Sequence, residues 1–314
     1  MVMKLFSTRP NNWDTDSSLL DSTTNFFVER RERVEQCLDN AIGASSDSRQ
    51  RLVEAMRYST LRGGKRIRAL FVYASGYISE PDKPFLCDSS ATSIEMMHAY
   101  SLIHDDLPSM DDDALRRGKP TCHIAFDEAT AILAGDGLQA LAFEHLTSTE
   151  GIAPEQKVEM LTLLAKSSGI NGMVGGQTID LISEGKAISV SELEEMHRLK
   201  TGALIRASVI LGALATNANS ELIDLLSQFS VRIGLAFQIQ DDILDHTSTT
   251  EQLGKNQGSD AEKNKSTYVS LLGLEESRRR ADQLYNEALS CLDPLGNSAV
   301  YLRSLARQVV KREK

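Results

Sequence analysis

Two dense clusters of aspartate, each set directly after an apolar stretch, constrain this chain more than any other feature. The first is Asp105-Asp106-Leu107-Pro108-Ser109-Met110-Asp111-Asp112-Asp113, the second Asp241-Asp242-Ile243-Leu244-Asp245. Ionised carboxylates repel one another and are costly to desolvate, so neither cluster can close a buried helix without partners. Asp241 and Asp245 share one helix face about a turn apart. Two such faces opposed across a cavity would hold hard divalent cations. Mg2+ suits them best, because it takes a few carboxylates and leaves its other positions to water and phosphate oxygens. A single acidic run is usually solvated surface. Two runs, both following apolar segments and both lacking cations inside the motif, point to a metal site.

The remainder predicts helices. No stretch alternates apolar and polar residues for long enough to require a strand. Phe27, Val34, Leu38 and Ile42 recur at helical spacing in a first helix expected to open near Asp21 or Ser22. Further helices are expected over roughly Ser48–Leu61 and Ser90–His104, and from Ile124, Pro154, Ser191 and Ser220, with two more closing the chain. Gly172, Gly175 and Gly176 should kink the helix from Pro154 or admit a close neighbour. Residues 248–267 read as a polar loop. Without a composition break, one domain over 21–314 is expected, preceded by a mobile arm over 1–20.

Several classes are disfavoured. A net charge of −10 argues against nucleic acid as the main partner. Cys37, Cys87, Cys122 and Cys291 are scattered, with no metal-ligand spacing, which fits a reducing cytoplasmic compartment. The first residues carry Asp14 and Asp16 and no apolar core of a signal peptide. No run is read as approaching the roughly 20 apolar residues of a membrane span.

Basic groups complete the pattern. Gly63-Gly64-Lys65-Arg66-Ile67-Arg68 places two glycines before a helix start, where free N–H groups can meet an anion; it is not a Walker loop. Arg116, Arg117, Lys200 and Lys255 supply further charge. Metals between carboxylates, ringed by such cations, are built for a diphosphate. The chemistry implied is departure of diphosphate from carbon, stabilised electrostatically. An allylic carbon gives a resonance-stabilised cation, which points to an isoprenoid above an apolar, helix-lined cavity.

With these motifs in order, together with His98, Gly176-Gln177-x-x-Asp180, Lys200-Thr201, Phe237-Gln238 and Gly254-Lys255, the chain resembles the trans-type polyprenyl diphosphate synthases of the bacterial farnesyl diphosphate kind. The resemblance runs from about residue 20 to the C-terminus. It implies an all-α isoprenoid synthase fold, a single-domain bundle of about ten core helices around a central apolar cavity. It also implies a homodimer and three Mg2+ ions, with Mn2+ as a possible substitute.

On that resemblance, Asp105 and Asp111 hold two metals with Asp106 supporting, and Asp241 holds the third with Asp242 and Asp245 nearby. Arg116, Lys200, Gln238 and Lys255 grip the allylic diphosphate. Gly64, Lys65, Arg68, His98 and Arg117 form the site for isopentenyl diphosphate. Thr201, Gln238 and the main chain near Lys200 face the allylic cation, and the released diphosphate is the expected base. The family commonly has proline after the motif arginine, where this chain has Ala69, so local rigidity there is expected to differ.

Tyr100 and Ser101 lie about one turn below Asp105, and the same resemblance implies that they form the floor that sets chain length. A bulky Tyr100 together with the Pro108-Ser109 insertion implies a fifteen-carbon product, farnesyl diphosphate, from dimethylallyl and geranyl primers. Geranyl diphosphate synthesis is the main alternative and an inactive regulatory subunit a lesser one. A terpene cyclase would carry a different second metal motif and lack the Gly-Gly-Lys-Arg-x-Arg loop.

Overall fold

A computed structural model describes residues 17–61, 63–247 and 266–312. In chain order its helices are α1 (Ser17–Ile42), α2 (Gln50–Thr60), α3 (Ile67–Ser79), α4 (Asp88–Asp105), α5 (Cys122–Ala125), α6 (Glu128–Thr147), α7 (Pro154–Ser168) and α8 (Met173–Ser183). There follow α9 (Val190–His197), a π-helical turn (Arg198–Gly202), α10 (Ala203–Ala215), α11 (Ser220–Thr247), α12 (Tyr268–Leu272), α13 (Leu274–Cys291) and α14 (Val300–Val310). Short 3-10 turns precede α4 and α14. The expected all-α bundle is what forms.

The core is set by α10, which is apolar on every side and buries Leu204, Ile205, Val209, Ile210, Leu211 and Leu214. It packs against α3, α4, α7 and α11. Its contact with α3 is close because Gly212 carries no side chain: a Cβ there would lie 2.1 Å from the Val72 carbonyl oxygen. On the other side of α3, α4 packs along α6, where Gly135 leaves room for the His104 ring. Amphipathic α13 closes the bundle by packing along α11. These contacts put the C-terminal ends of α4 and α11, which carry the two aspartate clusters, around the turn that enters α10.

Local signals explain some helix starts. Asp127 caps α6 by accepting the Thr130 N–H at 2.7 Å. Ser189 and Glu192 form a reciprocal capping box that starts α9, close to the expected Ser191. Other boundaries differ from expectation. Helix α1 begins at Ser17, inside the stretch read as an arm. The helix from Pro154 is broken, not kinked: α7 ends at Ser168, and a Cβ on Gly172 would sit 2.1 Å from the Ser167 carbonyl oxygen.

The basic segment after the first acidic cluster also differs. It is a β-hairpin, β1 (Leu115–Arg116) pairing antiparallel with β2 (Lys119–Pro120). Arg117 and Gly118 at its tip both have positive φ, 54° and 74°, the requirement of a tight two-residue hairpin turn. No alternation announces two strands of two residues each. By length and composition α11 alone among the described helices could cross a membrane, against the expectation that no segment comes close. It carries the second acidic cluster and is built into the bundle.

Candidate active site

The first acidic cluster splits into two environments. Asp105, at the end of α4, is pushed up to about 6 by burial, with Asp111 and Asp106 adding to the shift and Lys200 and Arg116 opposing it. Asp111 is brought beside it by the bond from its own N–H to the Asp105 carbonyl, 2.8 Å. Asp106 is buried and ion-paired with Arg116, which also donates to Asp113 at 3.0 Å. Asp112 adopts a left-handed backbone, φ 53°, in the turn between them.

Lys200 approaches from the π-helical turn. Asp180 on α8 accepts from its ammonium at 2.6 Å. The two helices meet there because Gly176 has no side chain: a Cβ would lie 2.2 Å from the Lys200 amide nitrogen. A π-helical turn departs from ordinary helical hydrogen bonding and is frequent at functional sites. Beside it, Thr201 Oγ1 donates to Gln238 Oε1 at 3.1 Å, and Gln238 Nε2 donates to Asp242 at 3.2 Å. The turn therefore bears on both acidic clusters: the Lys200 charge opposes the rise of Asp105 from a distance, and Thr201 reaches Asp242 through Gln238.

In the second cluster, Asp242 is buried and also accepts the Tyr268 N–H at 2.8 Å. The His197 ring lies 4.0 Å from the same carboxylate oxygen and stacks on the Tyr268 ring; burial brings that imidazole down to about 3, so it is neutral. Asp245 is buried on the same helix. Asp241 is more exposed and forms an ion pair with Arg312, which lies over the Phe237 ring. Among the described residues no three carboxylate, imidazole or thiol groups converge closely enough to hold an ion unaided.

A second, basic centre lies across the α4–hairpin boundary. His98 is held neutral, well below the ordinary histidine range, by burial and by Arg68, Arg117, Arg116 and Arg66 around it. The Arg117 side chain lies on the glycine turn, where a Cβ on Gly64 would be 2.8 Å from its guanidinium carbon; Gly64 itself has φ 86°. Burial is also the main influence lowering Arg68, to about 10. Lys65 is exposed beside them. Arg66 turns away into a buried pairing with Glu35 and Glu95. A cavity of about 240 Å³ opens beside the Asp106–Arg116 pair, with Gly63, Gly64, Arg117 and Leu102 in its wall.

Tyr100 is buried one turn before the acidic cluster, edge-on to His104 at 5.8 Å, and Ser101 Oγ donates to the His98 carbonyl at 2.9 Å. Lys255 lies outside the described residues. Asp113, Asp180, Glu95, Tyr268 and Arg312 received no role from the sequence. Asp180 was legible in part, since Gln177-x-x-Asp180 puts both residues on one helix face. Arg312 left no such signal.

A model of the polyprenyl synthetase family matches residues 49–297. The chain is 51% identical over 264 residues to a farnesyl diphosphate synthase of Haemophilus influenzae, covering 83% of this chain and 89% of that protein. It superimposes with a TM-score of 0.83 on an FPP/GFPP synthase of Zymomonas mobilis, 40% identical, covering 92% of this chain and 99% of the other. It is also similar to a geranyltransferase of Helicobacter pylori complexed with magnesium and isoprenyl diphosphate, with a TM-score of 0.82 and 33% identity over 97% of this chain and 100% of that one. The family match over most of the chain and the identity to these proteins show that the chain belongs to the polyprenyl synthetase family, whose members are prenyltransferases.

Proposed function

We propose that this protein catalyses the Mg2+-dependent head-to-tail condensation of isopentenyl diphosphate with dimethylallyl and then geranyl diphosphate, giving farnesyl diphosphate. The observation that carries the reading is the π-helical turn, where the Lys200 charge acts on Asp105 and Thr201 reaches Asp242 through Gln238, beside a separate basic centre. One centre suits a substrate that ionises, the other a substrate that does not. The farnesyl diphosphate synthase from H. influenzae supports the product length.

In this reading Asp105 and Asp111 hold two metal ions, and Asp241, on exchanging its ion pair with Arg312 for the metal, holds the third with Asp245 on the same face. Asp105, raised to about 6 by burial and then by the neighbouring Asp111 and Asp106 carboxylates, fits such a charge. The ions supply charge neutralisation for the departing diphosphate. Asp106 and Asp242, already engaged by Arg116 and by Gln238 and the Tyr268 N–H, orient their neighbours. Arg116, Lys200 and Lys255 bind the allylic diphosphate. Thr201 and Gln238 present oxygen dipoles to the allylic cation. Lys65, Arg68, neutral His98 and Arg117 bind isopentenyl diphosphate against the Gly64 turn. The C1–O bond breaks, C1 bonds to C4 of isopentenyl diphosphate, and the released diphosphate takes the proton from C2. Exposed Ile124, Ile132 and Leu133 on α5 and α6 support a homodimer. Free cysteines at all four positions support a cytoplasmic setting.

The test is product analysis with Mg2+, isopentenyl diphosphate and each allylic primer in turn. Farnesyl diphosphate from both primers, abolished by chelation, is expected. A stop at geranyl diphosphate would retain the mechanism and reassign the floor. No condensation with Mg2+ present would make the chain an inactive partner subunit.

A further inference from the structure

Among the described residues Gln177 has no hydrogen-bond partner on either its carboxamide nitrogen or its oxygen, although only 9% of it is exposed. Buried amides are almost always paired, and an orphaned donor and acceptor in one side chain call for an explanation. The surroundings supply it. The buried face of α8 consists of Met173, Gly176, Gln177 and Asp180. Gly176 abuts the Lys200 main chain and Asp180 bonds the Lys200 ammonium, so Gln177, on the same face, is held against the π-helical turn. The Lys200 charge on that turn bears on Asp105.

We propose that Gln177 is a further substrate-contacting residue. Its Nε2 donates to an oxygen of the allylic diphosphate, and its Oε1 accepts from the water shell of the accompanying metal ions. A neutral amide suits this place: a carboxylate would add to Asp105 and Asp180 and repel the diphosphate, and a cation would repel Lys200. The inference rests on the prenyl-transfer reading above. Its rival is a structural amide satisfied by internal water, whose loss would weaken the fold.

The two are separated with Gln177→Met and Gln177→Glu in the full-length protein. The readouts are Tm without ligand, calorimetric titration of a geranyl thiolodiphosphate analogue with Mg2+, and steady-state kinetics. Gln177→Met is expected to keep or raise Tm, since an apolar isostere removes an unpaired amide. It should weaken analogue binding about tenfold and lower kcat/KM for geranyl diphosphate at least as much, with KM for isopentenyl diphosphate unchanged. Gln177→Glu should bind the analogue more weakly still. A lowered Tm with wild-type analogue affinity, or wild-type affinity in both variants, overturns the proposal while leaving prenyl transfer standing. A wild-type protein that neither binds the analogue nor condenses the substrates overturns both.

Discussion

One oxygen of Glu95 accepts the main-chain N–H of Ala69 at 3.1 Å, and the other accepts Arg66 at 3.1 Å. Ala69 stands in the first turn of α3, where the family resemblance leads to the expectation of proline. Here its N–H, which no earlier carbonyl of the helix can take, is capped by a carboxylate from α4. Glu95 thereby ties the basic loop of Lys65, Arg66 and Arg68 to the helix that ends in Asp105. The rigidity a proline would supply through φ comes instead from a buried tertiary contact.

Glu95→Ala should destabilise the fold by about 3–5 kcal/mol, since it strands a buried Arg66 guanidinium and an amide together. Ala69→Pro should cost only about 1 kcal/mol, because Arg66 keeps its partner and proline fits a first helical turn. Chemical denaturation of the two variants checks the ordering. Equal effects would mean that Glu95 acts through the Ala69 bond alone.

Asp105 is raised from 3.8 to about 6 in the folded chain. The fold therefore favours its protonated form. The stability this contributes is fully present below the unfolded pKa and is lost as pH rises through the folded value. Asp105→Asn, a neutral mimic, should raise Tm of the metal-free protein near pH 7.5, with the gain closing toward pH 4. The same variant should lose activity by about a hundredfold or more. Mg2+ needs the carboxylate, so wild-type metal affinity should fall below about pH 6. A Tm gain independent of pH would place the strain elsewhere.

Gly176→Ala should damage the site more than its size suggests. The added Cβ would stand 2.2 Å from the Lys200 amide nitrogen, a main-chain atom that cannot swing aside. A loss of about 1–3 kcal/mol is expected from overpacking. Turnover should also fall, because Lys200 and Thr201 shift with the turn. Gly185→Ala, on a residue with open space around it but φ 69°, should affect stability without affecting turnover.

Tyr100→Ala should lengthen the product beyond fifteen carbons. Tyr100 is 5% exposed and braced edge-on by His104, so its ring is a fixed obstacle one turn from Asp105. Chromatography of dephosphorylated products checks this. An unchanged product would remove Tyr100 from the floor.

The helical character, both acidic clusters and the glycine turn were legible in the sequence because each depends on residues within a turn or two. Helical spacing places Asp241 and Asp245 on one face whatever surrounds them. The hairpin carrying Arg117 was not legible, since two residues per strand leave no alternation to read. Nor was the break before α8, where Gly172, having no Cβ, lets the chain turn back close to the Ser167 carbonyl.

Sequence by itself determined which charges exist and which of them share a helix face. Tertiary structure alone decided which are already spoken for. Asp106 belongs to Arg116, Asp241 to Arg312, Arg66 to Glu35 and Glu95, and Lys200 to Asp180, while Gln177 is left unpaired. The physical reason is that backbone periodicity acts over a few residues. The pairing of a charge depends on how much water the packed bundle removes from it and on which distant group is pressed against it.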